Sequence, residues 1–261
     1  MQRDPAAREG FAVKSAEKKT GPYLLALAFL LLVWQGAALI LRTEALPGPV
    51  SVLLIFGREM AGPLAHHFLV SSYRVLASLV LALAAGVPTG IAMGRIRRVD
   101  RLASPLLYLT YPVPKIAFLP LVLLIFGIGD SSRIFLIAFI LFFQILVTTR
   151  DAAREIPREH ILSMRSLGAN RTQKVVHLVL PAVLPNILTS LRIGIGTAIA
   201  VLFFVESFAT NHGLGFFILD AWSRLDYELM YAGIVGMGVL GVILYEGVEI
   251  LDTVLCKWNK L

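Results

Sequence analysis

The sequence predicts an all-α polytopic membrane protein with about six transmembrane helices and a cytoplasmic helix between helices 4 and 5. Three observations predict it. The 261 residues are 57% hydrophobic and only 16% charged, where soluble domains hold nearer half apolar and a quarter charged residues. The apolar residues gather into runs long enough, or nearly so, to cross a bilayer. The largest polar interruption inside the chain, Pro157 to Pro185 (PREHILSMRSLGANRTQKVVHLVLPAVLP), lies between two of those runs. Backbone groups in lipid must be paired within their own segment, so each run is a helix and not an open strand.

The N-terminal stretch, residues 1–21, carries Arg3, Arg8, Lys14, Lys18 and Lys19 and is expected to be a disordered basic lead. The first apolar run, Tyr23–Leu41, is long enough to span and has no small-residue cleavage site after it, so it is a first transmembrane helix and not a signal peptide. The second, Val70–Met93, carries Gly86, Gly90 and Gly94 at the small-residue spacing that lets helices approach closely. The third, Pro105–Ile128, is interrupted by Pro112, Pro114 and Pro120, each lacking a backbone donor. Broken backbone at that depth lines a cavity or is buried. Lys115 between these prolines is either a pathway residue or a lysine reaching back to the interface. The fourth run, Ile134–Thr149, is short for a span, and the fifth and sixth are Asn186–Phe208 and Leu229–Leu251. Residues 22–261 thus form one transmembrane domain.

Charge sets the orientation. Most of the 24 Lys and Arg fall in the N-terminal lead, at Arg95–Arg101, in residues 150–174 and at the C-terminus. Cytoplasmic segments collect such residues, so both termini and the Pro157–Pro185 stretch are expected in the cytoplasm. The same pattern explains the net charge of +7 without nucleic acid. Cys256 is the single cysteine, which excludes an intrachain disulfide and suggests no metal site. There is no GxxxxGK[ST] phosphate loop, no HExxH and no GxSxG, so the chain is not expected to be an enzyme or to hold a cofactor or metal. His66–His67 and Asp226–Glu228 are expected to be solvated pairs at the outer surface. No ionisable cluster at one depth is visible. Gln144 and Glu206 are the remaining polar residues of interest, each a pathway candidate or a simple interhelical partner.

In the central stretch, Arg158 to Leu167 can form a short helix, which Gly168 stops. Asn170 then caps a second helix, with Gln173 at capping-box spacing. That helix should run to Leu180, where Pro181 and Pro185 reset the direction on re-entry to the membrane. The pattern is a rigid elbow. The run SLGANRTQKVVHLVLPAVLPNIL resembles the conserved cytoplasmic loop of ATP-binding-cassette importer permeases, whose pattern is Glu-Ala-Ala, three residues, Gly, nine residues, Ile-x-Leu-Pro. Gly168, Leu178, Leu180 and Pro181 match it. Leu162, Ser163 and Met164 stand where the Glu-Ala-Ala would be, with Glu159 three residues earlier. LPGPVSVL, YPVPKIAFLPLVLLIFGIGDSSRI and VESFATNHGLGFFI extend the resemblance to the nitrate, sulfonate and taurine type of that family.

The resemblance implies a bacterial inner-membrane, multi-pass subunit that forms the substrate pathway and pairs with a second permease copy as a homodimer. It implies two cytoplasmic ATP-binding subunits, which hold the ATP and Mg, and an extracytoplasmic substrate-binding protein. Residues 150–185 become the coupling loop, with a coupling helix that docks through Leu162, Ser163, Arg165, Ser166, Gly168 and Ala169, while Leu178, Leu180 and Pro181 close the motif. The pathway candidates are Pro114, Lys115, Phe118, Gln144 and Glu206. The implied substrate is a small organic anion such as a sulfonate or taurine, or nitrate. A riboflavin or thiamine-pyrimidine importer of the same build is the alternative, and a stand-alone secondary transporter or channel the alternative from another class. That last reading predicts paired intramembrane charges and inverted repeats, and neither is visible in the sequence.

Overall fold

The computed structural model describes residues 20–260, so nearly all of the basic lead expected over residues 1–21 lies outside the described residues. Those described are helical, with no strand among them. The described residues divide into two compact units, one up to Val52 and one from Leu53 onward. In the first, α1 (Thr20–Leu41) matches the expected span, and Trp34 Nε1 donates to the Pro47 carbonyl at 3.0 Å to fold the following turn back. α2 (Pro49–Met60) starts there and continues into the second unit. α2 is not among the expected segments, because a twelve-residue amphipathic helix leaves no spanning-length hydropathy signal.

The second unit is a bundle of long helices packed both parallel and antiparallel to one another. α3 (Pro63–Arg95) opens with Pro at a first-turn position, where its missing N–H costs nothing, and so starts well before the expected Val70. α6 (Asp130–Glu155) is 26 residues, not a short span. Its polar ends continue the helix because Arg133 and Arg150 are buried and partnered, 1% and 4% exposed. Hydropathy had marked only the part that carries no charge.

α3 and α6 touch along the Gly86–Gly90–Gly94 line. A Cβ at Gly90 would sit 2.7 Å from Thr149 Cβ and 2.8 Å from the Leu146 carbonyl, and one at Gly94 would sit 2.6 Å from the Arg150 carbonyl. Backbone therefore meets backbone there, the close approach that small residues permit. Around this seam the core is aliphatic, including Leu79, Ala82, Leu136, Leu141, Ile145, Leu191, Ile195 and Leu202.

The third expected segment is two helices. α4 (Arg97–Thr110) and α5 (Leu119–Phe126), joined through a 3₁₀ turn at Lys115–Phe118, meet at 86°. Pro105 is absorbed inside α4, and the break falls at Tyr111–Pro114. Among the described residues, five helices are long and apolar enough to cross a membrane, or six if the bent pair is one span.

The path after α7 (Arg158–Ser166) differs from expectation. α8 (Arg171–Lys174), a π turn at Val175–Val179 and α9 (Leu180–Glu206) form one helical path of 36 residues. Pro181 and Pro185 do not reset its direction. Pro181 would clash with the carbonyl four residues back and cannot donate to it. The widened turn relieves this: the Leu180 N–H bonds to the Val175 carbonyl, five residues back, immediately before the proline. α10 (Leu214–Ser223), too short to be seen as a span, and α11 (Tyr227–Leu255) complete the bundle. One end of the bundle, called the basic end below, carries Arg95, Arg97, Arg98, Arg171, Lys174 and α7. The other carries Pro63, Asp130 and Glu206.

Candidate functional site

α7 is a nine-residue helix whose C-terminal end is fixed by its own sequence. After it, Gly168 takes φ +76, the left-handed region that a side chain disfavours. Its N–H donates to the Arg165 carbonyl and that of Ala169 to the Met164 carbonyl, both at 3.0 Å. That pair of bonds is a Schellman stop. Asn170 Oδ1 then accepts from the Gln173 N–H, and Gln173 Oε1 from the Asn170 N–H, each at 2.8 Å. The elbow expected from the sequence therefore closes with the expected stop and capping box.

The two faces of α7 differ. Ile161 packs against a cluster of Ala152, Ala153 and Ile156 from the end of α6 with Val179, Val183 and Ile187 from the start of the next span, and Leu178 packs there too. Leu162 is 59% exposed and Leu167, just past the helix, 82% exposed, beside exposed Ser163, Arg165 and Ser166. Two exposed leucines on a rigid polar elbow are apolar surface that no partner covers among the described residues. Glu159 is exposed one turn before Leu162, in the first turn of the helix. Leu180 is 38% exposed and Pro181 half-buried in the first turn of α9.

The five pathway candidates do not form one cluster. Pro114, Lys115 and Phe118 share the bend between α4 and α5. Lys115 Nζ donates to the carbonyls of Tyr111 at 3.0 Å and Thr110 at 3.2 Å and lies 4.5 Å from the centre of the Phe143 ring. A cation there neutralises the carbonyl end of α4 and gains from the ring face. Gln144, next to Phe143 on α6, donates to the Ser190 carbonyl at 3.2 Å and links α6 to α9. Glu206 is at the other end, fully buried.

Around Glu206 the structure gathers charges that the sequence left scattered. Its carboxylate accepts from Arg74 at 2.7 Å, from Ser71 at 2.8 and 2.9 Å and from the Gly215 N–H at 2.9 Å. Arg74 also reaches Asp130 at 2.6 Å and the His212 carbonyl at 2.9 Å. Gly213, at φ +111, is held against this carboxylate so closely that a Cβ would collide with it. Nearby, Arg133 is buried without a carboxylate partner and donates to the carbonyls of Gly129, Val205, Phe208 and Ala209, which caps the end of α9. His67 is not simply solvated, because its Nδ1 accepts from the Gly213 N–H at 3.1 Å and its ring lies 5.3 Å from that of Phe217.

Two further charge clusters join helices. Arg150 and Arg154 of α6 both grip Asp100 of α4, and Ser104 donates to that acid at 2.9 Å. Arg192 of α9 bridges Glu249 at 2.7 Å and Asp252 at 3.3 Å on α11. The sequence reading saw no ionisable cluster. The Arg74–Glu206 partners stand 132 residues apart, which no local motif can reveal. No group of three or more His, Cys, Asp or Glu suited to a metal ion occurs among the described residues.

The described residues form an all-helical bundle with helices long and apolar enough to cross a membrane and a rigid polar elbow leading directly into one of them, the build of a membrane transport subunit. Comparison places it more closely. Residues 86–255 match the family described as binding-protein-dependent transport system inner membrane component. The chain belongs to that family and is the permease subunit of an ATP-binding-cassette importer.

Among its relatives, the taurine transport system permease protein of Escherichia coli (strain K12) is 34% identical over 89% of this chain and 88% of its own length. An aliphatic sulfonates transport permease protein of Bacillus subtilis (strain 168), itself described as putative, is 31% identical over 91% and 87%. The nitrate import permease protein of Synechococcus elongatus is 24% identical over 87% and 88%. Two structures of the MetNI methionine ABC transporter in inward-facing conformations share the fold, with TM-scores of 0.59 and 0.62 at 18% and 20% identity. Each match covers 74% of this chain and 95% of the matched one.

Proposed function

We propose that α7 is the coupling helix of this permease and that its exposed Leu162, Ser163, Arg165 and Ser166, with Gly168 and Ala169 just past its end, dock on a separate ATP-binding subunit. The single observation that carries this is the contrast between its faces. Leu162 and Leu167 are bare, while Ile161 is wedged between the end of α6 and the start of the span that runs to Glu206. A push on the bare face reaches α9 through packed side chains, because α8, the π turn and α9 are one helical path. Leu178, Leu180 and Pro181 lie on that path. Such a ligand can switch the pathway only by binding one of its two states better than the other. Glu159, one turn from Leu162, stands in for the acid that the family loop carries.

The basic end is cytoplasmic in this reading, as its Arg and Lys residues favour. Both termini then lie in the cytoplasm, and the Arg74–Glu206 end faces the outside of a bacterial inner membrane. The permease itself is not catalytic and binds no cofactor. ATP and Mg belong to two partner subunits, the second half of the pathway to another copy of this chain, and substrate delivery to an extracytoplasmic binding protein. The bend at Pro114, Lys115 and Phe118, with Gln144 beside Phe143, lines the pathway. Glu206, closed in by Arg74, Ser71 and Gly215, holds the outer end together instead. Relatives named for taurine, sulfonates and nitrate support a small anion as the substrate.

Purifying the tagged chain from its native cells in mild detergent tests the docking. An ATP-binding subunit in stoichiometric amount is expected in the eluate, and its absence under conditions that keep the permease folded would overturn the assignment.

A further inference from the structure

At the basic end, the close of α3, the residues opening α4, Ile161 of α7 and the π turn line an open groove of about 910 Å³. Its floor is aliphatic, with Val87, Ile91, Leu178 and Val179 among the lining residues. Around it stand Arg95, Arg97, Arg98, Arg171 and Lys174. No carboxylate pairs with any of these five among the described residues, although Arg150, Arg154 and Arg192 nearby in sequence each find one. Arg95 alone has a side-chain partner, the Ala153 carbonyl at 3.1 Å. The groove lies where two spanning helices end, so apolar floor and charged rim follow the layout of a bilayer leaflet. A small hydrophilic anion would need polar donors converging on the floor, which is made of methyl and methylene groups. An uncompensated basic rim over an apolar slot matches a lipid that carries a negative headgroup above a hydrocarbon chain.

We propose that this groove is a binding site for one anionic phospholipid, its phosphate at Arg97, Arg98, Arg171 and Lys174 and an acyl chain along Val87, Ile91 and Leu178. The site does not depend on which substrate the permease carries or on how α7 docks. The experiment is native mass spectrometry of the purified full chain titrated with phosphatidylglycerol or with phosphatidylcholine of identical acyl chains. Each surface cation contributes roughly 1 kcal/mol toward an anionic headgroup, so Arg97→Gln with Lys174→Gln should lower phosphatidylglycerol retention about tenfold or more. Neither side chain makes a hydrogen bond or ion pair in the described structure, so the double variant should elute as the wild type does. Arg165→Gln, outside the groove, should leave retention unchanged. Equal retention of both lipids by the wild-type chain would overturn the proposal. So would displacement of phosphatidylglycerol by millimolar inorganic phosphate or taurine, which would mark a site for free anions, or an equal loss in Arg165→Gln.

Discussion

Replacing Leu167 by serine should separate docking from folding. Leu167 is 82% exposed and Leu162 59% exposed, so neither contributes much to the permease's own core. Fully burying a leucine is worth about 1.5–3 kcal/mol. Scaled by the exposed fractions, an ATP-binding subunit that covers both side chains gains about 1–2.5 kcal/mol from Leu167 and about 1–2 kcal/mol from Leu162. Leu167→Ser should therefore weaken the complex about 5- to 70-fold, and the Leu162→Ser/Leu167→Ser pair by roughly the product of the two effects. The permease alone should change by no more than about 0.5 kcal/mol, as exposed positions do. Titrating the purified permease with its ATP-binding subunit reads the affinity, and thermal melting of the permease reads its fold. An unchanged affinity in the double variant would refute the docking face. A permease that melts early with its affinity intact would show that the leucines serve the fold instead.

Glu206→Ala leaves Arg74 in the interior with Asp130 as its remaining carboxylate, and removal of one partner of a buried pair costs about 3–5 kcal/mol. Asp130 is 49% exposed, so Asp130→Asn should cost about 1 kcal/mol or less; equal losses in melting would contradict the ranking. Gly168→Pro removes the N–H that bonds to Arg165 and forces φ away from +76. It should leave the protein in the membrane while abolishing coupled uptake in vesicles, and uptake with normally coupled ATP hydrolysis would count against the elbow.

What the sequence shows well is whatever is local. The stop at Gly168 and the Asn170–Gln173 capping box depend on neighbours within a few residues, and both are present. The Gly86–Gly94 line, an interval on one helix face, does mark the α3–α6 seam. What it hides is long-range compensation. Arg133 and Arg150 look like interruptions of a fourth span until their partners on other elements are known, and so the span was read too short. Glu206 reads equally as a pathway acid or an interhelical partner until Arg74, 132 residues away in the chain, is placed beside it. Pro181 and Pro185 suggest a corner by propensity alone, but a π turn just upstream lets the helix continue through Pro181, and Pro185 lies within α9. Lys115 is the intermediate case. Its place among prolines was visible, whereas its use as a cap on the α4 carbonyls needed the 86° bend.

Site-directed cross-linking on α7 tests the central claim most directly. Cys256 is the only cysteine, 2% exposed, and burial pushes its thiol up, so Cys256→Ala provides a quiet background. Single cysteines at Ser163 and Leu167, treated with a short thiol–amine reagent in membranes of the assembled transporter, are predicted to join the permease to its ATP-binding subunit. A cysteine at Asn211, at the opposite end, is predicted not to. Adducts from Asn211 with none from Ser163 or Leu167 would contradict the account.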